Sequence, residues 1–294
     1  MSVGNRAKLS DLCKLKLHLK RLSVSLSPGF KLACCVTQTL HMVKIYAIYR
    51  KHEEREFIGI SGSLNVWLIN VIKGDFSVTQ ISIGVRYQGQ EIYLSAGWMV
   101  NVERFRDSYP RLFASHMVNN FTRVCYSFDT NCVGFLESKR GFLHIPIKKG
   151  SSYGAGEPLT YMHVKIIQDQ ASKDWLLQLL KDNTQTATVG YWPASLFPGL
   201  TEGASTVEWG GLVFRSQLSP GPTPMGSGGL PALGYSSSSH IKLVQYISKH
   251  HGVVNPTSLE PYQPDPTVYG LSPLLKNSNA YGTHFFYGGP GRRS

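Results

Sequence analysis

The stretch Phe-Ser-Val-Thr-Gln-Ile-Ser-Ile-Gly-Val-Arg, residues 76–86, alternates apolar with polar or small side chains. In an extended strand Ile81, Ile83 and Val85 would share one face, and the residues between them would lie on the other. This period of two is typical of a strand that is buried on one side only. The stretch therefore predicts a sheet with one face in a hydrophobic core.

Similar short runs, separated by turn residues, continue along the chain. The predicted strands are Phe57–Leu68, Phe76–Arg86, Ile92–Val102, Gly141–Ile147, Tyr161–Ile167, Trp175–Leu180, Ala187–Trp192, Val207–Phe214, Ile241–Ile247 and His284–Tyr287. The 29 glycines and 16 prolines supply the turns between them. No helical stripe extends beyond about three turns. We therefore predict an all-β fold, an antiparallel two-sheet β-sandwich.

The basic residues are concentrated at the N-terminus of this 294-residue chain, whose formal net charge is +12. Residues 1–52 hold ten Lys and Arg and one Asp, so they carry +9 and the rest only +3. The remainder shows no basic motif interleaved with aromatic residues and no recognised nucleic-acid-binding module. We expect a monomer without a specific nucleic-acid partner.

Residues 1–45 are predicted to form a basic leader, and residues 46–294 one globular domain. No continuous apolar run follows the basic start, so no secretory signal peptide is recognised. The run Leu32–Met42 is too short to span a bilayer. Three interpretations of the leader remain open: a segment without chemistry, a transit-type targeting signal, or a mis-assigned chain start.

Cysteine and histidine positions bear on disulfides and metals. Cys125 and Cys132, two of five cysteines, flank a turn-rich spacer and predict a local disulfide if the compartment is oxidising. Asn120 begins an Asn-Phe-Thr glycosylation sequon. Adjacent His250 and His251 would point to opposite faces of a strand, which is poor geometry for joint ligation. We expect no metal and no cofactor at these histidines or at His240.

An ordered series of motifs resembles the neprosin family, the glutamic prolyl endopeptidases first associated with plants. The motifs are Asn65-Val66-Trp67, Ser77–Ile81, Ala96-Gly97-Trp98, Arg111-Leu112-Phe113, Cys125 with Cys132–Phe135, Trp175-Leu176-Leu177, Val189–Phe197, Trp209-Gly210-Gly211, Met225–Gly228 and Phe286–Arg292. They span roughly residues 46–292. The resemblance implies a secreted β-sandwich peptidase made with a propeptide, for which residues 1–45 would be a truncated or atypical version.

The resemblance also implies where the chemistry would lie. The family places one glutamate in a Glu-Ala-Gly-Trp stretch and the other in a Trp-Gly-Gly-Glu stretch, and a glutamic peptidase needs one protonated and one ionised carboxyl group. The matching positions in this chain are Ser95 and Leu212. Neither side chain can act as a general acid or base. The resemblance therefore implies a framework without its reactive pair.

Two other acids are candidates to replace the missing pair. Glu91 lies four residues before Ser95, and Glu208 lies four residues before Leu212. Each would share a face with the vacated position, displaced along the strand by roughly 13 Å. If the two strands run antiparallel, the shifts move the acids apart. If they run parallel, a relocated pair is conceivable.

Other positions depart from the family pattern or are candidates for binding. Ser115-His116-Met117 stands where the family tends to show Tyr-Trp-Thr. Gln80, Trp98, Trp192 and Trp209 are candidates to line a substrate groove, although the tryptophans are equally suited to the core of a sandwich. We expect a neprosin-like domain without peptidase activity that binds a peptide or another extracellular polymer. The alternatives are an active endopeptidase that uses Glu91 and Glu208, or a decayed product without a selected function.

Overall fold

The computed structural model describes residues 42–118, 123–129, 132–138, 141, 143, 145–152, 159–181, 185–276 and 280–290. The strands are β1 (Met42–Asn65), β2 (Phe76–Tyr87), β3 (Gln90–Val100), β4 (Arg111–Val118), β5 (Arg123–Tyr126), β6 (Leu136–Glu137), β7 (Tyr161–Gln168), β8 (Trp175–Lys181), β9 (Gln185–Trp192), β10 (Ala204–Ser216), β11 (Ser239–Ser248), β12 (Gly252–Val254), β13 (Glu260–Tyr262), β14 (Gly270–Leu271), β15 (Leu275–Lys276) and β16 (Thr283–Gly288). The helical pieces are α1 (Val102–Phe105) and the 3-10 turns Ala194–Leu196, Pro198–Leu200 and Pro231–Leu233.

The long strand β1 belongs to both layers of the fold. Its residues 42–52 pair with β10, and its residues 57–65 pair with β7 and β11. The register shifts between His52 and Phe57, where Arg55 has a positive φ of 53°. A bulge of this kind bends a strand and increases its twist. The bend allows one continuous strand to pass from the first layer into the second.

The first layer, called the groove sheet below, has the strand order β5-β4-β3-β2-β10-β1. The second layer continues as β1-β7-β8-β9-β6. Each described pairing between named strands is antiparallel. The prediction of an all-β antiparallel sandwich is therefore confirmed.

The two layers enclose the hydrophobic core. Ile81, Ile83 and Val85 of β2 are at most 1% exposed and lie in it, which confirms the face predicted from the alternation. Indole N–H groups tie the layers together: that of Trp98 donates to the carbonyl of Asn65 at 3.0 Å. Such a buried tryptophan adds apolar burial and keeps its polar nitrogen satisfied.

A tight hairpin fixes the register of β2 and β3. Gln88 and Gly89 form its two-residue loop, with φ angles of 50° and 77°. Two consecutive positive φ values are the mark of a type I′ turn, whose twist matches that of the flanking strands. The turn places Glu91 opposite Arg86 and, four residues on, Ser95 opposite Ser82.

One predicted strand and one omission need correction. The described residues of Gly141–Ile147 form no strand, and Pro146 makes an isolated bridge to Arg111. Conversely, β4 was not predicted, because it is buried on both faces: Leu112 and Ala114 lie in the core, whereas Phe113 lies in a second apolar cluster on the other face. A strand buried on both sides shows no alternation.

The N-terminal leader lies mostly outside the described residues. Residues 1–41 are not described, and Met42–Ile45 form the start of β1. The division into a leader and a domain therefore stays a prediction. Within the described ranges, no helix is long and apolar enough to cross a membrane.

Candidate functional site

The candidate site is the outer face of the groove sheet, opposite the core. Residues of one parity on β3, β2, β10 and β1 point to this face. Two adjoining hollows lie on it: a groove of about 770 Å³ and a small cavity of about 60 Å³. Ser95 and Leu212 both line the cavity, so the structure brings these two candidate residues together.

A row of polar residues crosses the sheet at this point, one from each strand. Ser95 of β3 lies opposite Ser82 of β2, Ser82 lies opposite Glu208 of β10, and Glu208 lies opposite Arg50 of β1. On the other side, Ser95 lies opposite Ser115 of β4. We call this set the transverse row. It places Glu208 in line with Ser95, two strands away.

Ser95 belongs to a short chain of hydrogen bonds with Ser82 and Gln80. Its hydroxyl lies 2.8 Å from that of Ser82, which accepts a hydrogen bond from the Gln80 amide at 2.8 Å. Ser95 is 8% exposed and Ser82 is 1% exposed. Buried hydroxyl groups need such partners. Ser95 is therefore a neutral hydroxyl group whose hydrogen bonding is satisfied.

Leu212 lies in apolar surroundings at the other end of the cavity. It is 4% exposed and packs in a cluster with Val78, Met99, Phe113 and Phe214. Partly buried aromatic residues from α1 and the β5 region pack against this cluster. A carboxylate placed there would lose hydration without an evident partner in the cluster. Leu212 therefore contributes to the packing of this apolar cluster.

Glu208 is the acid that both hollows share. Burial raises the pKa of its carboxyl group to about 7, the nearby charge of Arg50 lowers it, and the charge of Glu91 raises it. Arg50 also forms an ion pair and a hydrogen bond with Glu260 of β13. A carboxyl group with such a pKa is partly protonated at neutral pH, so it can donate as well as accept a hydrogen bond.

Glu91 lines the groove together with Glu208. Because β3 and β10 both run antiparallel to β2, they run parallel to each other. Moving four residues back from Ser95 and from Leu212 is therefore a shift in the same direction on both strands. Glu91 and Glu208 are therefore offset from each other in the same way as Ser95 and Leu212. The pair as a whole is displaced along the strands by roughly 13 Å.

Tyr93 is a site residue that the sequence analysis missed. Its ring lies over Gly84, where an added Cβ would come within 2.5 Å of the ring. Its hydroxyl hydrogen-bonds to the Thr206 side chain, and burial, with the charges of Glu208 and Glu91, raises its pKa. Tyr93 follows Glu91 by two residues, so the alternation already places both on one face.

The tryptophans proposed to line the groove do not do so. Trp98, Trp192 and Trp209 are 0% exposed and belong to the core between the layers. Trp209 donates its indole N–H to the carbonyl of Ser61 at 2.8 Å. Of the four groove candidates only Gln80 lines the cavity. The groove interpretation was wrong for the three tryptophans: Trp98 and Trp209 point to the opposite face from Ser95 and Glu208, and Trp192 belongs to β9 of the second layer.

Disulfide, glycosylation and metal predictions have separate outcomes. The structure contains the disulfide between Cys125 and Cys132. Asn120 lies outside the described residues, so its sequon stays a prediction. Within the described part of the chain, no group of three or more His, Cys, Asp or Glu side chains could hold a metal ion. His240 is buried and accepts from or donates to the Tyr161 hydroxyl at 2.8 Å.

The fold and the groove define a β-sandwich protein with an acid-lined cleft on the outer face of one sheet. The chain belongs to the neprosin family, whose model matches residues 73–290. Scytalido-glutamic peptidase with a peptide-based transition-state analogue is a structural likeness with 11% identity and a TM-score of 0.45, over 85% of this chain and 99% of that one. SCP-B of the eqolisin peptidases, in a complex with the tripeptide Ala-Ile-His, has 11% identity and a TM-score of 0.44, over 84% and 98%. Likenesses at this level give no information about individual residues or activity.

Proposed function

We propose that this neprosin-family domain binds peptide segments in the groove and does not cleave them. The observation that supports this most is the occupancy of the two family positions. Ser95 is hydrogen-bonded to Ser82, and Leu212 is packed among apolar side chains. Neither side chain can act as a general acid or general base near neutral pH. General acid–base catalysis by this pair is therefore lost, whereas the groove is kept.

The groove has the size and chemistry for an extended peptide. Its volume of about 770 Å³ is within the range of known ligand sites. Its walls combine aromatic side chains such as Tyr46 and Tyr262 with charged groups of both signs, among them Arg86 and Glu208. Aromatic rings contribute contact area, and polar groups can pair with a peptide backbone.

The disulfide and the family membership also bear on location. Cys125 and Cys132 are bonded to each other, and stable disulfides are typical of oxidising compartments. We propose that the domain works outside the cell, as a monomer, in agreement with the resemblance described above.

Binding is tested by incubating the purified full chain with a mixture of unmodified peptides and identifying those retained. We expect retention without new termini. Gly84→Val should weaken retention about tenfold, equivalent to about 1.4 kcal/mol, because the new side chain collides with the Tyr93 ring. The matched control is Gly221→Val, since a Cβ at Gly221 would meet nothing within 4 Å. If no peptide is retained, the proposal is contradicted.

An active endopeptidase that uses Glu91 and Glu208 is the second candidate function. Two observations favour it: both acids line one groove, and the raised pKa of Glu208 suits the partner that must hold a proton. Glu91 would then receive the proton of the attacking water. The test is cleavage of the peptide mixture at acidic pH. This candidate requires that either Glu91→Gln or Glu208→Gln abolish the cleavage and that Glu202→Gln, an exposed control, leave it unchanged.

A further inference from the structure

The small cavity adjoins the groove. Lys44, Tyr46, Tyr93 and Glu208 line both hollows. These four side chains therefore lie where the groove and the cavity meet. The cavity has a volume of about 60 Å³, and a water molecule takes up about 30 Å³ of the liquid. Only a side chain of one to three heavy atoms fits into such a space.

The walls of the cavity differ in chemistry from one end to the other. Ser82, Ser95 and Ser115 of the transverse row supply hydroxyl groups along one side. Leu212 and Phe214 close the opposite end with apolar surface. A ligand side chain in the cavity would therefore contact apolar carbon atoms at one end and hydrogen-bonding hydroxyl groups along the side.

The cavity cannot widen easily. Ser82 and Leu212 are at most 4% exposed, and the strands that carry them are paired on both sides. Because β2 lies between β3 and β10, moving either wall would break backbone hydrogen bonds of the sheet. Packed interiors resist such expansion. The volume therefore acts as a size limit for whatever enters.

The cavity also coincides with three departures from the family pattern. The resemblance to the family implies a glutamate at the positions of Ser95 and Leu212 and a tyrosine at that of Ser115, and these three residues all line the cavity. Replacing Glu and Tyr by Ser removes several heavy atoms at each position. The free volume lies where these shorter side chains stand. The shorter side chains at positions 95 and 115 therefore leave space in the cavity, whereas Leu212 is close to glutamate in size.

We propose that this cavity is a side-chain pocket that admits a single small residue, alanine or serine, of a peptide bound in the groove. The proposal rests on the proposed peptide binding and adds the class of residue that is recognised. An alanine methyl group fills the space against Leu212. A serine hydroxyl can in addition pair with Ser82 or Ser95. A leucine or phenylalanine side chain exceeds the space and is excluded.

The test selects phage-displayed random heptapeptides on the immobilised full chain. We expect one position of the selected peptides to be enriched in alanine and serine. Synthetic versions of a selected peptide, with alanine or leucine at that position, are then compared by calorimetry. The leucine version should bind at least about tenfold more weakly, the usual range for excess size in a fixed pocket.

Leu212→Ala enlarges the pocket and should remove most of this tenfold difference. Leu94→Ala is the matched control: Leu94 is fully buried in the core and lies on the opposite face of β3 from Ser95, so the preference should persist. If Leu212→Ala does not fold, Ser95→Val provides the second variant. It narrows the pocket, and the alanine version should then bind about tenfold more weakly than in the wild type.

Each outcome has one meaning. Alanine or serine enrichment that changes with Leu212→Ala or Ser95→Val supports the pocket. Binding of heptapeptides without a size preference at any position overturns the pocket and leaves the peptide-binding proposal standing. A preference that neither variant changes also overturns the pocket. A failure to select any peptide overturns peptide binding itself.

Discussion

The hydroxyl groups of Ser82 and Ser95 lie 2.8 Å apart, on directly opposed residues of β2 and β3. Glu208 stands on the other side of Ser82, in the same transverse row. Ser82 therefore lies between an acid on one neighbouring strand and a neutral hydroxyl group on the other. Glu91 lies on β3 four residues before Ser95, on the side of the transverse row where the groove lies.

Returning an acid to position 95 should change the titration of Glu208. In Ser95→Glu the new carboxyl group extends over Ser82 towards Glu208, and like charges disfavour ionisation. We expect the pKa of Glu208 to rise above its present value of about 7. Carboxyl chemical shifts of labelled glutamate, followed through a pH titration, measure it. Ser95→Gln has nearly the same shape without the charge and should leave the Glu208 titration unchanged; equal effects of both variants would refute the electrostatic account.

The buried carboxyl group of Glu208 should make stability decrease as the pH rises. Its pKa is raised from 4.5 to about 7 in the folded protein, so between these values the folded state holds a proton that the unfolded state has released. Its contribution is present below about pH 4.5 and is lost as the pH approaches 7, by up to roughly 3 kcal/mol. Urea unfolding should show this loss in the wild type relative to Glu208→Gln. Parallel pH profiles of the two proteins would contradict it.

His240 should have the opposite effect over almost the same range. Burial lowers its pKa from 6.5 to about 4; the carbonyl of Ser238 raises it, and the charges of Lys242 and His284 lower it. The folded state therefore keeps His240 neutral where the unfolded state is already protonated. Stability present above about pH 6.5 is lost as the pH falls towards 4, by up to roughly 3 kcal/mol. His240→Phe should flatten this acid limb.

The two groups together give a distinctive profile. Between about pH 4.5 and 6.5 the contributions of Glu208 and His240 have opposite slopes, so they should partly cancel in the wild type. Each single variant should then reveal the slope of the other group. Additivity is expected because neither residue is among the groups that shift the pKa of the other. A steep wild-type profile in this range would mean that one of the two pKa shifts is absent.

The Cys125–Cys132 disulfide should contribute to stability through the unfolded state. It closes a short loop, with a sequence separation of 7, for which the chain-entropy model gives roughly 2 kcal/mol. The double variant Cys125→Ser with Cys132→Ser should lose about this amount in urea unfolding. Adding a reductant to the wild type should have the same effect, and no effect on the double variant. An unchanged midpoint in both experiments would contradict the prediction.

Local patterns were sufficient to predict the fold class but not the site. The alternation in residues 76–86 is visible in a single strand, and β2 indeed buries the predicted face. The transverse row depends on the four registers that join five strands from distant parts of the chain. No local pattern encodes such a register. Whether Glu91 and Glu208 could act as a relocated pair depended on the relative direction of β3 and β10. Only the strand order β3-β2-β10 decides that direction.

The error over the tryptophans has a simple physical cause. Trp98 follows Ser95 by three residues, and Trp209 is adjacent to Glu208. An odd separation along a strand puts side chains on opposite faces. Alternation alone therefore excluded both rings from the groove. The sequence analysis leaves the groove and the core equally open for the tryptophans, and the alternation decides for the core.

The central claim, binding without cleavage for want of the family's acid pair, is tested most directly by proteolysis. The wild type and the double variant Ser95→Glu with Leu212→Glu would each be incubated with a peptide mixture at acidic pH, and new termini counted by mass spectrometry. We predict no cleavage by the wild type and detectable cleavage by the double variant. Cleavage by the wild type that is lost in Glu91→Gln or Glu208→Gln would contradict the claim.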